Sequence, residues 1–133
     1  MTLCEDIRYL NLAVQDDVLR QELLDAVEGV LRHGRIVMGP EVAELETALA
    51  QRCERSFAVA VGSGSGALYL ALRCLDLKPG DEVITTSLSW VATFNAIAAA
   101  GALPMAVDIG DDLNMNPAAI EAAITPNTRA IVA

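Results

Sequence analysis

Basic charge, aromatic rings and paired cysteines are all scarce in this 133-residue sequence, and each shortage excludes something. Nine lysines and arginines stand against eighteen acids, a formal net charge of −9. The arginines are scattered from Arg8 to Arg129 and form no basic stripe. A polyphosphate backbone would be repelled, so nucleic acid is not an expected partner. The three cysteines, Cys4, Cys53 and Cys74, are odd in number and show no C-x-x-C spacing. That argues against a disulfide framework or a zinc site and fits a reducing cytoplasm. The opening stretch, MTLCEDIRYL, has acids where a signal peptide has a basic region, so no secretory leader is expected. Aromatic residues make up 4% of the chain against 53% hydrophobic residues in all. The apolar mass is therefore mostly Ala, Val, Leu and Ile, the composition of buried parallel strands packed by helices.

Charge is missing altogether from Val83 to Val107, about the length of a membrane span. That stretch holds Thr85, Thr86, Ser87, Ser89, Thr93 and Asn95, with Gly101 and Pro104 as breakers. Its flanks, Asp81, Glu82 and Asp108, are acidic rather than basic. A buried strand, a helix and a second strand explain it better than a span.

What is present alternates. Asp16 and Asp17 cap a predicted helix with Leu19, Leu23, Leu24, Val27, Val30 and Leu31 on one face, and His33 and Gly34 end it. An extended link leads to Pro40, at the first turn of a helix striped with Val42, Leu45, Leu49 and Cys53. Strands are expected over Phe57–Val61, Val83–Thr86, Leu103–Ile109 and from Ala130 onward, and helices over Gly66–Leu75, Trp90–Ala100 and Pro117–Ile124. Short links between alternating strands and helices predict a mostly parallel sheet flanked by helices. The chain stops inside an apolar strand, Arg129–Ala133, so it is expected to be a piece of a longer protein.

The segment AVAVGSGSGALYLAL, Ala58–Leu72, places three glycines and two serines between an apolar run and a helix. Amides at such a junction, with the positive end of the helix dipole, make a ready site for phosphate, and Ser63 and Ser65 add hydroxyls. A turn that merely packs small residues is the plain alternative. Gly62-x-Gly64-x-x-Ala67 also fits a dinucleotide fingerprint, but that needs an acid at the end of the next strand. Here the strand ends in Thr85-Thr86-Ser87, while Asp81 and Glu82 precede it. A phosphate cup for pyridoxal phosphate fits better. That cofactor needs a phosphate anchor, a planar surface, an acid at the ring nitrogen and a lysine. The anchor is the loop at Ser65 and Gly66, and Trp90, the only tryptophan, follows the next strand at the same edge of the sheet.

Four blocks then fall into one pattern: GRIVMGPEVAELETALAQ, VGSGSGALYLAL, LKPGDEVITTSLSWVATFNAIAAAGALPMAVDI and IEAAITPNTRAIVA. Their order and spacing resemble the DegT/DnrJ/EryC1/StrS aminotransferases. The resemblance implies the N-terminal part of the aspartate aminotransferase fold, the type I pyridoxal-phosphate-dependent transferases. It implies pyridoxal 5′-phosphate as cofactor, a sugar-nucleotide substrate bearing a keto group, an amino-acid donor, glutamate, and a homodimer or larger homo-oligomer. Gly64-Ser65-Gly66 stands where the family commonly has Gly-Thr-Ala, so the resemblance implies Gly64, Ser65 and Gly66 as the phosphate-binding residues, and Trp90 as the aromatic residue that stacks on the ring. The family's ring acid and Schiff-base lysine are expected beyond Ala133, so no catalytic residue is assigned in this chain and residues 1–133 alone are expected to show no transaminase activity. The single lysine, Lys78, lies in the turn before the second strand, at the wrong end of the sheet.

Residues 1–39 are read as a helix and link, and residues 40–133 as the first, incomplete part of the large cofactor-binding domain. Asp108 is read as loop structure or polarity toward the substrate, Asn95 as packing or hydrogen bonding, and His33 as a helix-end residue. Other readings remain: a sugar dehydratase of the same family, an NAD-binding domain, or a non-catalytic homologue kept for assembly.

Overall fold

The computed structural model describes Leu10 and residues 12–133, and Cys4 lies outside the described residues. The chain forms two compact units, divided between Ala60 and Val61.

The first unit is helical. Helix α1, Asp17–His33, starts where the Asp16 carboxylate accepts the amides of Val18 and Leu19 at 2.8 and 3.0 Å. It stops at Gly34, whose φ of 70° is a left-handed conformation that costs glycine little. Its Asp16 and Gly34 caps are those expected from sequence. Helix α2, Pro40–Arg52, has proline at its first position, where no intrahelical donor is lost.

Residues 57–61, expected as a strand, form none, which corrects the sequence reading. Phe57 and Val59 stay 87% and 78% exposed, and the Ala60 amide donates to Glu46 Oε1 at 2.8 Å. Propensity marks residues that suit a sheet, but a strand exists only where a neighbour supplies the ladder. No described strand pairs with this segment.

The second unit holds a three-stranded parallel sheet in the order β2-β1-β3. Helix α3 spans Gly64–Arg73 and leads through the Lys78–Asp81 turn to β1, Glu82–Thr86. Helix α4, Val91–Ala99, connects β1 to β2, Leu103–Val107. Helix α5, Pro117–Ala123, capped by Asn116, connects β2 to β3, Thr128–Val132. The uncharged stretch is thus strand, helix and strand. Among the described residues no helix is long and apolar enough to cross a membrane.

Strand β1 lies in the middle with both of its edges paired, and Val83, Ile84 and Thr85 are fully buried. Leu72 of α3, Val83, and Ala96 and Ile97 of α4 form the core with Leu77, Ala100 and Ala102. Thr85 can afford burial because its hydroxyl donates to the Val132 carbonyl at 3.0 Å, which ties β1 to β3.

Candidate cofactor site

Ser63 is the N-cap of α3. Its Oγ accepts the Gly66 amide at 3.1 Å, and its carbonyl accepts the Ala67 amide at 2.9 Å. The amides of Gly64 and Ser65 have no protein acceptor among the described residues, and neither has the Ser65 hydroxyl. Two free amides and one hydroxyl therefore stand at the positive end of the α3 dipole.

The glycines there are not explained by packing. A Cβ built at Gly62 or Gly64 meets nothing within 4 Å, and neither has a positive φ. Glycine at the first position of a helix gives up backbone freedom that alanine would not have to lose. The fold gives no return for that cost at Gly64, whereas a ligand brought close to the backbone does. Gly66 differs, because a Cβ there would sit 3.3 Å from Ser63 Oγ.

Gly64, Ser65 and Leu68 of α3 line a groove of about 710 Å³, and its opposite wall includes Trp90, Ala92 and Thr93. Trp90 is the residue before α4 and is 78% exposed, an unusual state for so large an aromatic side chain. The groove thus joins free amide donors to an open aromatic face, with no carboxylate on its walls. These features suit a planar, phosphorylated ligand such as pyridoxal phosphate, since the Gly64 and Ser65 amides are free to take an anion and the indole face is open to a ring. Gly66 does not line the groove, and its amide is engaged by Ser63.

The remaining candidates lie elsewhere. Lys78 pairs with Asp76 at 2.6 Å, and its amide donates to Asp81 Oδ2 at 2.7 Å, in the turn that enters β1. The Lys78 ammonium holds the Asp76 carboxyl below its ordinary value. Asp81 also accepts Arg129 Nε at 3.2 Å, and Glu82 accepts the Thr125 hydroxyl. Both acids therefore serve as structural ties at the N-terminal edge of β1. They are not ribose ligands at its C-terminal edge, as the dinucleotide reading would require. Asp108 accepts the amide of Ile109 at 2.8 Å and shapes the loop after β2. Asn95 is exposed on α4 and shares a smaller groove of about 230 Å³ with Ser65 and Tyr69. In the first unit, His33 Nε2 lies 2.8 Å from Glu41 Oε1.

Sequence reasoning gives one contributor another role and does not single out a second. The sequence offers Ser63 as a ligand donor, whereas its oxygen caps the helix. The signal was available, since a serine three residues before the Gly66 amide is a typical cap position. Thr93 stands in the sequence only as part of an uncharged run, whereas it is buried on α4 and reaches the groove.

The model of the DegT/DnrJ/EryC1/StrS aminotransferase family matches residues 17–133. A UDP-2-acetamido-2-deoxy-3-oxo-D-glucuronate aminotransferase of Pseudomonas aeruginosa is 39% identical over 127 residues, covering 95% of this chain and 35% of that protein. The crystal structure of S. venezuelae DesV in complex with a ketimine intermediate is 44% identical with a TM-score of 0.79, covering 86% of this chain and 31% of that one. The structure of a GDP-4-keto-6-deoxymannose-3-dehydratase with a trapped PLP-glutamate geminal diamine is 31% identical, also with a TM-score of 0.79, covering 93% and 33%. The chain spans about a third of the length of these relatives. Its helices and parallel sheet are those of their fold.

Proposed function

This chain belongs to the DegT/DnrJ/EryC1/StrS aminotransferase family, and on that premise we propose that it takes part in moving an amino group from glutamate to a keto-sugar carried on a nucleotide, with pyridoxal 5′-phosphate as cofactor. One observation carries the proposal: Gly64 and Ser65, with free amides, and the open face of Trp90 line the same groove. Similarity to a UDP-keto-sugar aminotransferase supports the substrate class.

When bound, the cofactor supplies an electron-accepting ring that lets the amino group change carriers. The rest is the work of this chain's residues. The amides of Gly64 and Ser65 and the Ser65 hydroxyl hold the phosphate dianion, helped by the α3 dipole. Ser63 fixes the first turn of α3, so those donors are in place before the ligand arrives. Trp90 covers one face of the ring, sets its plane and excludes water there. The groove walls carry no lysine, so the group that moves protons comes from outside these residues. We place the reaction in the cytoplasm, in nucleotide-sugar synthesis, in a homodimer or larger homo-oligomer.

Trp90 is the only tryptophan, so its fluorescence reports the site directly. Pyridoxal phosphate is expected to quench it saturably, and pyridoxal without the phosphate to do so much more weakly. The protein containing this chain is then expected to convert a keto-sugar nucleotide to its amino sugar with glutamate, while residues 1–133 alone show no turnover. Equal quenching by both pyridoxals would remove the phosphate cup. A second reading, sugar dehydration on the same cup, is favoured by the likeness to the 3-dehydratase. It predicts loss of a hydroxyl from the sugar with no nitrogen gained.

A further inference from the structure

Nothing polar orients the Trp90 side chain. Its indole N–H has no hydrogen-bond partner among the described residues, and the ring is largely exposed. What is fixed is the backbone on either side of it, and one residue does most of the fixing. The Thr93 amide donates to the Trp90 carbonyl at 3.0 Å. The Thr93 hydroxyl lies 2.9 Å from the hydroxyl of Ser89, the residue before Trp90. Thr93 itself is buried, so its hydroxyl is held toward Ser89 by the packing around it. The link from β1 is tied at its other end too. The Ser87 amide donates to the Val107 carbonyl at 2.8 Å, and the Leu88 amide to Thr86 Oγ1 at 3.2 Å.

We infer that Thr93 is a positioning residue, clamping Ser89 and Trp90 so that the indole is held at the groove wall before any ligand binds. The inference rests on reading the groove as the cofactor site and adds a role for a residue outside the phosphate cup. An open aromatic ring that must be ordered on binding loses affinity to that ordering, and a clamp made beforehand removes the loss. Thr93 also lines the groove, so the clamp sits where the ring is needed.

The test compares Thr93→Val, which keeps the shape and removes the hydroxyl, with Ser89→Ala, which removes the other partner at an exposed position, and Thr93→Ser, which restores a hydroxyl. The full chain is read by near-ultraviolet circular dichroism of Trp90 without cofactor, and by titration with pyridoxal phosphate. Thr93→Val and Ser89→Ala are each expected to diminish the Trp90 dichroism and weaken binding about three- to tenfold, the worth of one hydrogen bond. The double variant is expected to do no more than either alone, and Thr93→Ser to recover both signals. Unchanged dichroism and affinity in Thr93→Val overturn the inference. If Thr93→Val does not fold, Ser89→Ala decides in the same way. If pyridoxal phosphate does not bind the unaltered chain, the functional reading fails, while the dichroism of the cofactor-free variants still decides the clamp.

Discussion

Helices α1 and α4 make opposite use of apolar residues. α1 carries the clearer stripe, yet Leu19, Leu23, Leu24, Val27 and Leu31 are all 47–63% exposed, and none of its residues is buried. α4 is apolar nearly all round, and its Ile97 is fully buried between α3 and the sheet. An apolar stripe states that a helix has a face to cover, whereas burial requires the covering element to be present. The caps of α1 are complete because they are local; its face is uncovered because that is not.

Paired truncations sharpen this contrast and carry the largest expected effect. Ile97→Ala is expected to cost about 2–5 kcal/mol, since it empties a packed position. Leu23→Ala, on a half-exposed face, is expected to cost under about 1 kcal/mol. Denaturant unfolding followed by Trp90 fluorescence reports the second unit, and far-ultraviolet circular dichroism reports all the helices. Equal losses for the two variants would break the comparison and show the α1 face to be covered in solution.

Within the second unit the same contrast separates two neighbouring glycines. Gly64 borders open space and the groove, whereas Gly66 sits against its own cap. Gly64→Ala is expected to leave folding stability unchanged or slightly raised, because alanine restricts the unfolded chain. The same change is expected to weaken pyridoxal phosphate about tenfold by holding the phosphate off the amides. Ser63→Ala is expected to differ by costing about 1 kcal/mol of stability through the lost cap, with a smaller loss of affinity as the first turn that presents the amides loosens. Unfolding curves and Trp90 titrations on the two variants separate these outcomes. A stability loss in Gly64→Ala without any affinity loss would make that glycine structural.

What could be read in the sequence follows the same division between local and relational features. Asp16, Gly34, Pro40 and Asn116 mark helix ends because caps and first-turn prolines act within a few residues. Strands β1 and β2 were legible as the two ends of a stretch too apolar to be exposed and too broken to be one helix. Residues 57–61 were not, since they carry strand-like residues but their pairing depends on neighbours that sequence does not supply. At the site, Gly64, Ser65 and Trp90 stood out because each marks a junction at the start of a helix, and the fold brings these three to one groove. That the Gly66 amide is taken by Ser63, and that Thr93 reaches back to Ser89, depends on where two hydroxyls point. Residue type and spacing leave that direction open.

The smallest expected effect tests a tie between the two helices of the first unit, the contact of His33 with Glu41. The Arg35 amide donates to His33 Nδ1 at 3.1 Å, so a neutral ring carries its proton on Nε2 and donates it to Glu41 Oε1. That hydrogen bond is the main reason the Glu41 carboxyl is held below its ordinary value of 4.5. Its place in the first turn of α2 favours the charged form as well. A carboxyl lowered in the folded state binds its proton less readily there than in the unfolded chain. The stabilisation is therefore complete above about pH 4.5 and is lost as pH falls through the lowered folded-state value. Glu41 is exposed to solvent, so the effect is small and weakens further with salt. Far-ultraviolet melting between pH 6 and pH 3 is expected to show a shallow loss of α1 and α2 signal that Glu41→Gln makes flatter. An unchanged slope in Glu41→Gln would mean that the tie to α2 adds nothing to α1, which its caps and the Gln21–Asp25 and Glu28–Arg32 pairs along its own length would then hold.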